Sequence, residues 1–238
     1  MQQPPGSVHP ISQMVAEINS IFAELGFTYA EGPERERIDY NFDYLNVPPE
    51  HPARDMHDTF YLADDEERLM RTHTSPVQVR YLLSHEPPVR MICPGKVYRN
   101  EATDATHEAQ FYQLEGLQVG EGVSLAHMKG VLKYFFSRFF GGAVEVRFRP
   151  SFFPFVEPGV EVDMRISEQP GNKLSGKWIE IMGAGMVHPK VLSGAGVDAA
   201  RYQGFAFGMG IDRLAVLRYG IDDVRLLYTG DLRVVNQF

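Results

Sequence analysis

The stretch Gly204-Phe-Ala-Phe-Gly-Met-Gly-Ile-Asp-Arg213 decides the architecture. Side chains alternate between the faces of a strand, so Gly204, Ala206, Gly208 and Gly210 share one side and leave it almost bare. Phe205, Phe207 and Met209 share the other and would enter a core. Ile211 to Tyr219 reads as a helix. Arg213 then lies in its first turn, where free backbone N–H groups and the dipole favour an anion. The glycine spacing is not that of a dinucleotide-binding fingerprint, and no βαβ unit surrounds it. Alone, such a string reads first as small residues that permit close packing.

Upstream, Ile11, Met14, Val15, Ile18, Ile21, Phe22 and Leu25 recur at steps of three and four, an amphipathic helix with Pro10 at its start and Gly26 at its end. Leu25-Gly-Phe-Thr-Tyr-Ala-Glu-Gly-Pro33 then predicts a helix-strand corner. A second helix is expected from Ser124 as N-cap, through Leu125, Met128, Val131, Leu132, Phe135, Phe136 and Phe139, to a stop at Gly141-Gly142. Strands are expected over Val144 to Arg149 and Phe111 to Val119, and a hairpin over Glu161 to Glu180 with its turn at Gln169 to Lys173. One face of the 111–119 strand would set the polar Gln113 and Glu115 among Phe111, Leu117 and Val119. Leu45 to Arg54, with three prolines, reads as an ordered loop. The order implies an α+β fold, an antiparallel sheet flanked by helices.

The chain has 238 residues, with 44% hydrophobic and 23% charged, an ordinary globular balance that excludes a disordered chain. No apolar run is long enough to cross a bilayer and no secretory leader pattern opens the sequence, so no membrane association is expected. Cys93 is the single cysteine, which excludes an internal disulfide and fits a cytoplasmic location. The net charge of −8 arises between Glu31 and Glu67, where 12 acidic residues face 3 basic ones. Such a balance speaks against a phosphate-gripping surface. His51, Asp55, His57 and Asp58 lie close in sequence, but no facing geometry recommends them as a zinc site. His188 reads as structural, and Lys190, Arg147 and Arg149 as solvated.

In Val97-Tyr-Arg-Asn-Glu101, strand geometry would bring Arg99 and Glu101 to one face, a guanidinium for phosphate oxygens and a carboxylate for an exocyclic amine. Alone this reads as a surface ion pair. An antiparallel partner strand would set Phe111 beside them, a plane on which adenine could stack. These segments, in this order, resemble motifs 1, 2 and 3 of class II aminoacyl-tRNA synthetases. Further strings narrow the resemblance: His51-Pro-Ala-Arg-Asp-Met-His-Asp-Thr-Phe60, Arg71-Thr-His-Thr-Ser75, Thr106-His107, Phe111-Tyr-Gln-Leu-Glu-Gly116, Phe152-Phe-Pro-Phe-Val-Glu-Pro158 and Gly185-Met-Val-His-Pro189. They are similar to the family of bacterial phenylalanyl-tRNA synthetase α subunits, over residues 7–238, taken as the catalytic domain after a tail of residues 1–6.

The resemblance implies ATP as substrate with Mg²⁺. Arg99 would hold the α-phosphate, Glu101 the adenine amino group, Phe111 the adenine ring, Arg213 the γ-phosphate and His107 a further phosphate, with Gly208 and Gly210 lining the nucleotide site. Arg99, Arg213 and His107 would be the catalytic set. The ammonium group of L-phenylalanine would meet His73, Ser75, Gln113 and Glu115, and its ring Phe153, Phe155 and Val156, with Ala206 as floor. Phe153 and Phe155 are expected on one strand face. Mg²⁺ would be carried mainly by the ATP phosphates, with Glu157 as a candidate protein ligand. The implied partners are a β subunit, in an (αβ)₂ heterotetramer, and tRNA(Phe), charged at the 2′-OH of its terminal adenosine. The family's N-terminal coiled-coil arm has no counterpart here, so poor tRNA charging is expected. The alternative is a class II paralogue that activates an amino acid for a non-tRNA acceptor.

Overall fold

A computed structural model of the chain describes residues 7–141, 144–167 and 176–238. Helices are α1 (Pro10–Glu24), α2 (Ile38–Asn41), α3 (Pro76–Leu82), α4 (Leu125–Phe140), α5 (Pro189–Gly194), α6 (Ile211–Tyr219) and α7 (Leu232–Val235). Strands are β1 (Thr28–Tyr29), β2 (Arg35–Arg37), β3 (Tyr61–Leu62), β4 (Asp65–Met70), β5 (Val89–Tyr98), β6 (Gln110–Gly120), β7 (Val144–Phe153), β8 (Val156–Ile166), β9 (Ile179–Val187) and β10 (Gln203–Gly210). A seven-stranded sheet runs β1-β5-β6-β10-β9-β8-β7, and a three-stranded sheet runs β2-β4-β3. Only the β1–β5 pair of the large sheet is parallel.

Both long helices form where their periodicity predicts. In α1, Ile11, Met14, Ile18, Ile21 and Phe22 are buried, His9 Nδ1 accepts from the Ile11 amide, and Gly26 turns the chain away at φ +76°. In α4, Ser124 and His127 form a capping box, and Gly141 ends the helix at φ +65°. Gly142 and the expected turn at 169–173 lie outside the described residues, although β8 and β9 on either side of that turn do pair. The 45–54 loop is ordered, with 3₁₀ turns at Asp43–Leu45 and Pro52–Arg54.

Strand β10 divides two cores. Phe205, Phe207 and Met209 point toward α1, α4 and α6, where Phe207 stacks on Phe22 at 5.6 Å and Phe22 on Phe135 at 4.9 Å. Gly116 lies directly across from Phe207, whose ring fills the place of a side chain: a Cβ there would lie 2.0 Å from Phe207 Cζ. On the opposite face Ala206 packs with Leu117, Cys93, Val156 and Val187 under α3 and α5. Alternation thus lets one strand serve a dry core and a second face open to chemistry.

Two expectations need correction here. Arg147 and Arg149 are not free solvated charges. On β7 they flank Asp163 of β8, 2% exposed, with Nε–Oδ2 distances of 2.6 and 2.7 Å. The two guanidiniums, Arg149 first, hold its carboxyl down to about 2. Phe153 and Phe155 do not share a strand face either, because β7 ends at Phe153 and Phe155 occupies the tight turn into β8.

Candidate active site

The site lies on the Ala206 side of the sheet. Its first support is Arg71, a buried guanidinium that reaches across β5 from the loop before α3. Arg71 Nε donates to Lys96 O at 2.7 Å and Nη1 to Gly32 O at 3.0 Å. Gly95 makes room, since a Cβ there would lie 2.2 Å from Arg71 Nη2. This contact fixes residues 71–75 over β5 and β6.

Residues delivered by that loop and by α3 converge on Glu115 of β6, 2% exposed. Its carboxylate accepts from Ser75 Oγ at 2.8 Å, from Thr74 Oγ1 at 3.5 Å and from Gln78 Nε2. No cation lies within ion-pair distance among the described residues, and burial pushes its pKa up to about 8 despite those donors. Gln113, two residues along the same face, accepts the Thr74 amide at 3.2 Å. Thr74 and Gln78 are missing from the expected set. Gln78 had a signal: a polar side chain one helical turn after Ser75, in a helix otherwise apolar at that depth. Register places Gly208 of β10 opposite Glu115, and a Cβ there would lie 3.4 Å from Glu115 Oε2 and 3.9 Å from Gln113 Nε2.

Toward the interior the face becomes apolar. Phe153 and Phe155 stack at 6.0 Å, brought together by the turn. That turn is held by Asn46 Nδ2 donating to Pro154 O at 2.7 Å and the His188 amide to Phe155 O at 2.9 Å. Phe153 covers Gly183, Val156 lies against Gly185, and Ala206 pairs with Gly185 in register. His73 stacks on Phe155 at 6.3 Å, and its Nδ1 is buried with no partner among the described residues. Burial, and then the nearby Arg99 charge, hold the imidazole down to about 3, so it is neutral at pH 7.

Outward from Gln113, the face ends in charge. Arg99 and Glu101 lie just past the end of β5 and not on it, because the Asn100 amide and side chain bond to Asp58 O and Met56 O and draw the chain to the 55–58 loop. The two still meet, with Arg99 Nη1 3.9 Å from Glu101 Oε1, and the guanidinium lies 5.0 Å over the Phe111 ring. Arg99 Nε donates to Thr72 O at 3.1 Å. His107 stands exposed on the 102–110 loop, with Nδ1 3.1 Å from Asp104. Arg213 is exposed in the first turn of α6, with neither hydrogen bond nor ion pair among the described residues, and Gly210 caps that helix. Glu157 is mostly exposed, its Oε2 3.4 Å from His188 Nε2. His51 caps its own turn, and no group of three or more His, Cys, Asp or Glu side chains among the described residues could hold a metal ion.

Along β6 the face thus reads apolar at Leu117, acidic at Glu115, amide at Gln113 and aromatic beside a guanidinium at Phe111. Those six residue steps span roughly 20 Å. Such a strip can hold an extended ligand with an apolar ring, an ammonium group, an anion and a flat base, in that order.

Comparison with known proteins gives the same picture. The family model for the class II core domain (F) of tRNA synthetases matches residues 1–238. The phenylalanine–tRNA ligase alpha subunit of Gemmatimonas aurantiaca is 54% identical over 98% of this chain and 68% of its own length. That of Bacillus subtilis is 54% identical over 98% and 69%, respectively. A crystal structure of pyrrolysyl-tRNA synthetase from Desulfitobacterium hafniense shares the fold, with a TM-score of 0.71 at 16% identity over 93% of this chain and 74% of that one. No helix among the described residues is long and apolar enough to cross a membrane. With matches of this extent and identity, the chain belongs to the class II tRNA synthetase core-domain family, among the phenylalanine–tRNA ligase alpha subunits.

Proposed function

We propose that the chain activates L-phenylalanine with Mg–ATP and, joined to a β subunit in an (αβ)₂ assembly, passes it to the 2′-OH of the terminal adenosine of tRNA(Phe). The observation that carries this reading is Glu115. A buried carboxylate with three neutral donors and no cation is costly, and the substrate ammonium group is the missing charge. Ser75, Gln113 and His73 complete the amino-group site. The neutral His73 adds no repelling charge to it. Phe153, Phe155 and Val156 meet the substrate ring over Ala206, each favourable aromatic pair adding about 0.5–1.5 kcal/mol.

Arg99 holds the α-phosphate and Phe111 the adenine, whose amino group meets Glu101. Arg213 and His107 hold the outer phosphates, and Gly208 and Gly210 let the nucleotide lie against the sheet. An oxygen of the substrate carboxylate attacks the α-phosphorus, and the bond to the α–β bridging oxygen breaks. Pyrophosphate leaves with that electron pair, with no proton transferred. Arg99 and Arg213 offset the charge that grows on the phosphates, and the remaining catalysis is alignment. In the second step the ribose 2′-oxygen attacks the acyl carbon, the bond from that carbon to the phosphate oxygen breaks, and AMP leaves with that electron pair while its phosphate takes up the hydroxyl proton. Magnesium enters as part of the substrate. The described residues form no cage for the ion, so no step is assigned to a protein-held metal.

With its β partner, the protein should exchange pyrophosphate into ATP only when L-phenylalanine is present. Ala206→Gly should add 4-chlorophenylalanine to the accepted substrates. Exchange driven equally by an unrelated amino acid, or no change of discrimination in the variant, would overturn the assignment.

A further inference from the structure

Three buried carboxylates among the described residues take no part in the mechanism: Glu36 and Asp163 are paired with arginines, and Asp212 is not. Asp212, 4% exposed, precedes Arg213 in the first turn of α6. Its two oxygens face different elements. Oδ2 accepts the Tyr112 amide at 2.7 Å, and Oδ1 accepts the Tyr228 hydroxyl. Tyr112 lies between Phe111 and Gln113, one residue beyond the last β6–β10 register pair, Gln113 with Gly210. Asp212 therefore supplies the partner that β10 no longer provides and continues the ladder past its end. Tyr228 follows the 3₁₀ turn Val224–Leu227, which is itself tied to two places: the Val224 amide donates to Ala105 O at 2.9 Å, and His9 Nε2 lies 2.9 Å from Leu227 O. Ala105 is in the 102–110 loop, two residues from His107.

We infer that Asp212 is a positioning residue for the nucleotide. Through the Tyr112 amide it sets the Phe111 plane, through its own helix it sets Arg213, and through Tyr228 and the 224–228 segment it anchors the loop that carries His107. This rests on the nucleotide roles proposed above. The three groups come from separate elements of the chain: the Asp212 carboxylate bonds directly to Tyr112 and Tyr228, precedes Arg213 in the same helix turn, and reaches the His107 loop through the Val224–Ala105 bond.

The ionised carboxylate is purely an acceptor at both oxygens, whereas the protonated form turns one of them into a donor. Burial pushes its pKa up to about 6, against the Tyr228 hydroxyl and the Tyr112 and Asp212 amides, which lower it. The groups facing it are Tyr228, Tyr112 with Lys96 over its ring, and His9 at the start of α1, with Arg213 on its own helix. As pH falls through about 6 the carboxyl gains a proton, the Tyr112 amide keeps only a weaker neutral acceptor, the Tyr228 hydroxyl must turn from donor to acceptor, and nucleotide placement weakens.

The test compares wild type, D212N, Y228F and the double variant, assembled with the β subunit, in phenylalanine-dependent ATP–pyrophosphate exchange across pH 5–8, with ATP affinity read separately by equilibrium dialysis. Asn keeps the shape and removes the charge. D212N should raise the KM and Kd for ATP about tenfold, leave the KM for phenylalanine within about twofold, and lose the acid limb near pH 6. Y228F should raise the KM for ATP about threefold and move the limb to higher pH, because a donor that lowers the Asp212 pKa is gone. The double variant should match D212N. Wild-type ATP affinity in D212N, a parallel rise of both KM values, or a pH profile unchanged in both single variants would overturn the role. Wild type that binds ATP yet shows no phenylalanine-dependent exchange would instead count against the substrate assignment, with the dialysis arm still testing Asp212. If D212N fails to fold, the limb shift in Y228F decides.

Discussion

The two faces of the β6–β10 pair use glycine for opposite ends. On the core face, Gly116 is small because Phe207 already occupies its space. On the site face, Gly208 is small although the protein has room for a methyl group beside Glu115 and Gln113. Neither glycine has a positive φ, so backbone conformation demands glycine at neither position. A glycine without a steric or backbone reason to be one marks surface kept clear for something else. The polar groups divide the same way: Glu115 lies on the open face, while Leu114 and Phe207 on the other belong to the apolar cluster.

Breaking the packed face should give the largest effect. Gly116→Ala drives a methyl into Phe207, which is pinned by Phe22 and cannot swing away cheaply. Overpacking of this kind costs about 3 kcal/mol. For a chain of this size that is a fall in Tm of roughly 10 °C by calorimetry. A fall under about 2 °C would show that the ring relaxes and that the contrast between the faces is overstated.

On the open face, Glu115→Gln should lower kcat/KM for phenylalanine about 100-fold, near 2.7 kcal/mol, while folding survives. The pH dependence separates this from damage. The carboxyl is raised from 4.5 to about 8 in the fold, so its contribution to stability is complete below the unfolded value and is lost as pH rises through the folded one. Gln does not titrate. Without substrate, the variant should therefore gain on wild type between pH 5 and pH 8, by on the order of 2 kcal/mol at the upper end. Equal Tm profiles for the two proteins would mean that Glu115 is not an uncompensated buried acid. Saturating phenylalanine should shrink the difference, because the ammonium group returns the missing charge to wild type alone.

The packed face was also the more legible one in the sequence. Apolar spacing along α1 and α4, the alternation of Phe205, Phe207 and Met209, and the caps at Ser124 and Gly141 are all local signals, and local signals survive without the fold. Glu115 and Gln113 stood out as polar residues on an apolar strand face. What stayed hidden depends on contacts between distant segments. Arg71 over Gly95 joins residues far apart, and Asp163 buried between Arg147 and Arg149 needs the β7–β8 register. Phe155 reads as strand because Phe153-Pro-Phe155 alternates like one, whereas Asn46 bonds to Pro154 O and stabilises a turn. The link from Asp212 through Tyr228 to the 102–110 loop involves segments more than a hundred residues apart, and no periodicity announces it.

Gly208→Ala should give the smallest and most discriminating result. Its methyl would make ordinary contacts at 3.4 Å to Glu115 Oε2 and 3.9 Å to Gln113 Nε2, so the fold has no reason to lose stability. Reduced freedom of the unfolded chain should raise stability slightly, by about 0.5 kcal/mol. The methyl nevertheless stands where the proposed ligand passes from ammonium group to phosphate. Exchange assays should therefore show kcat/KM for phenylalanine and ATP down about tenfold, near 1.4 kcal/mol, with Tm unchanged or higher. Activity and stability would then move in opposite directions at Gly208 and fall together at Gly116. If Gly208→Ala also lowers Tm by several degrees, the strip is packed and not kept open, and the distinction between the two glycines fails.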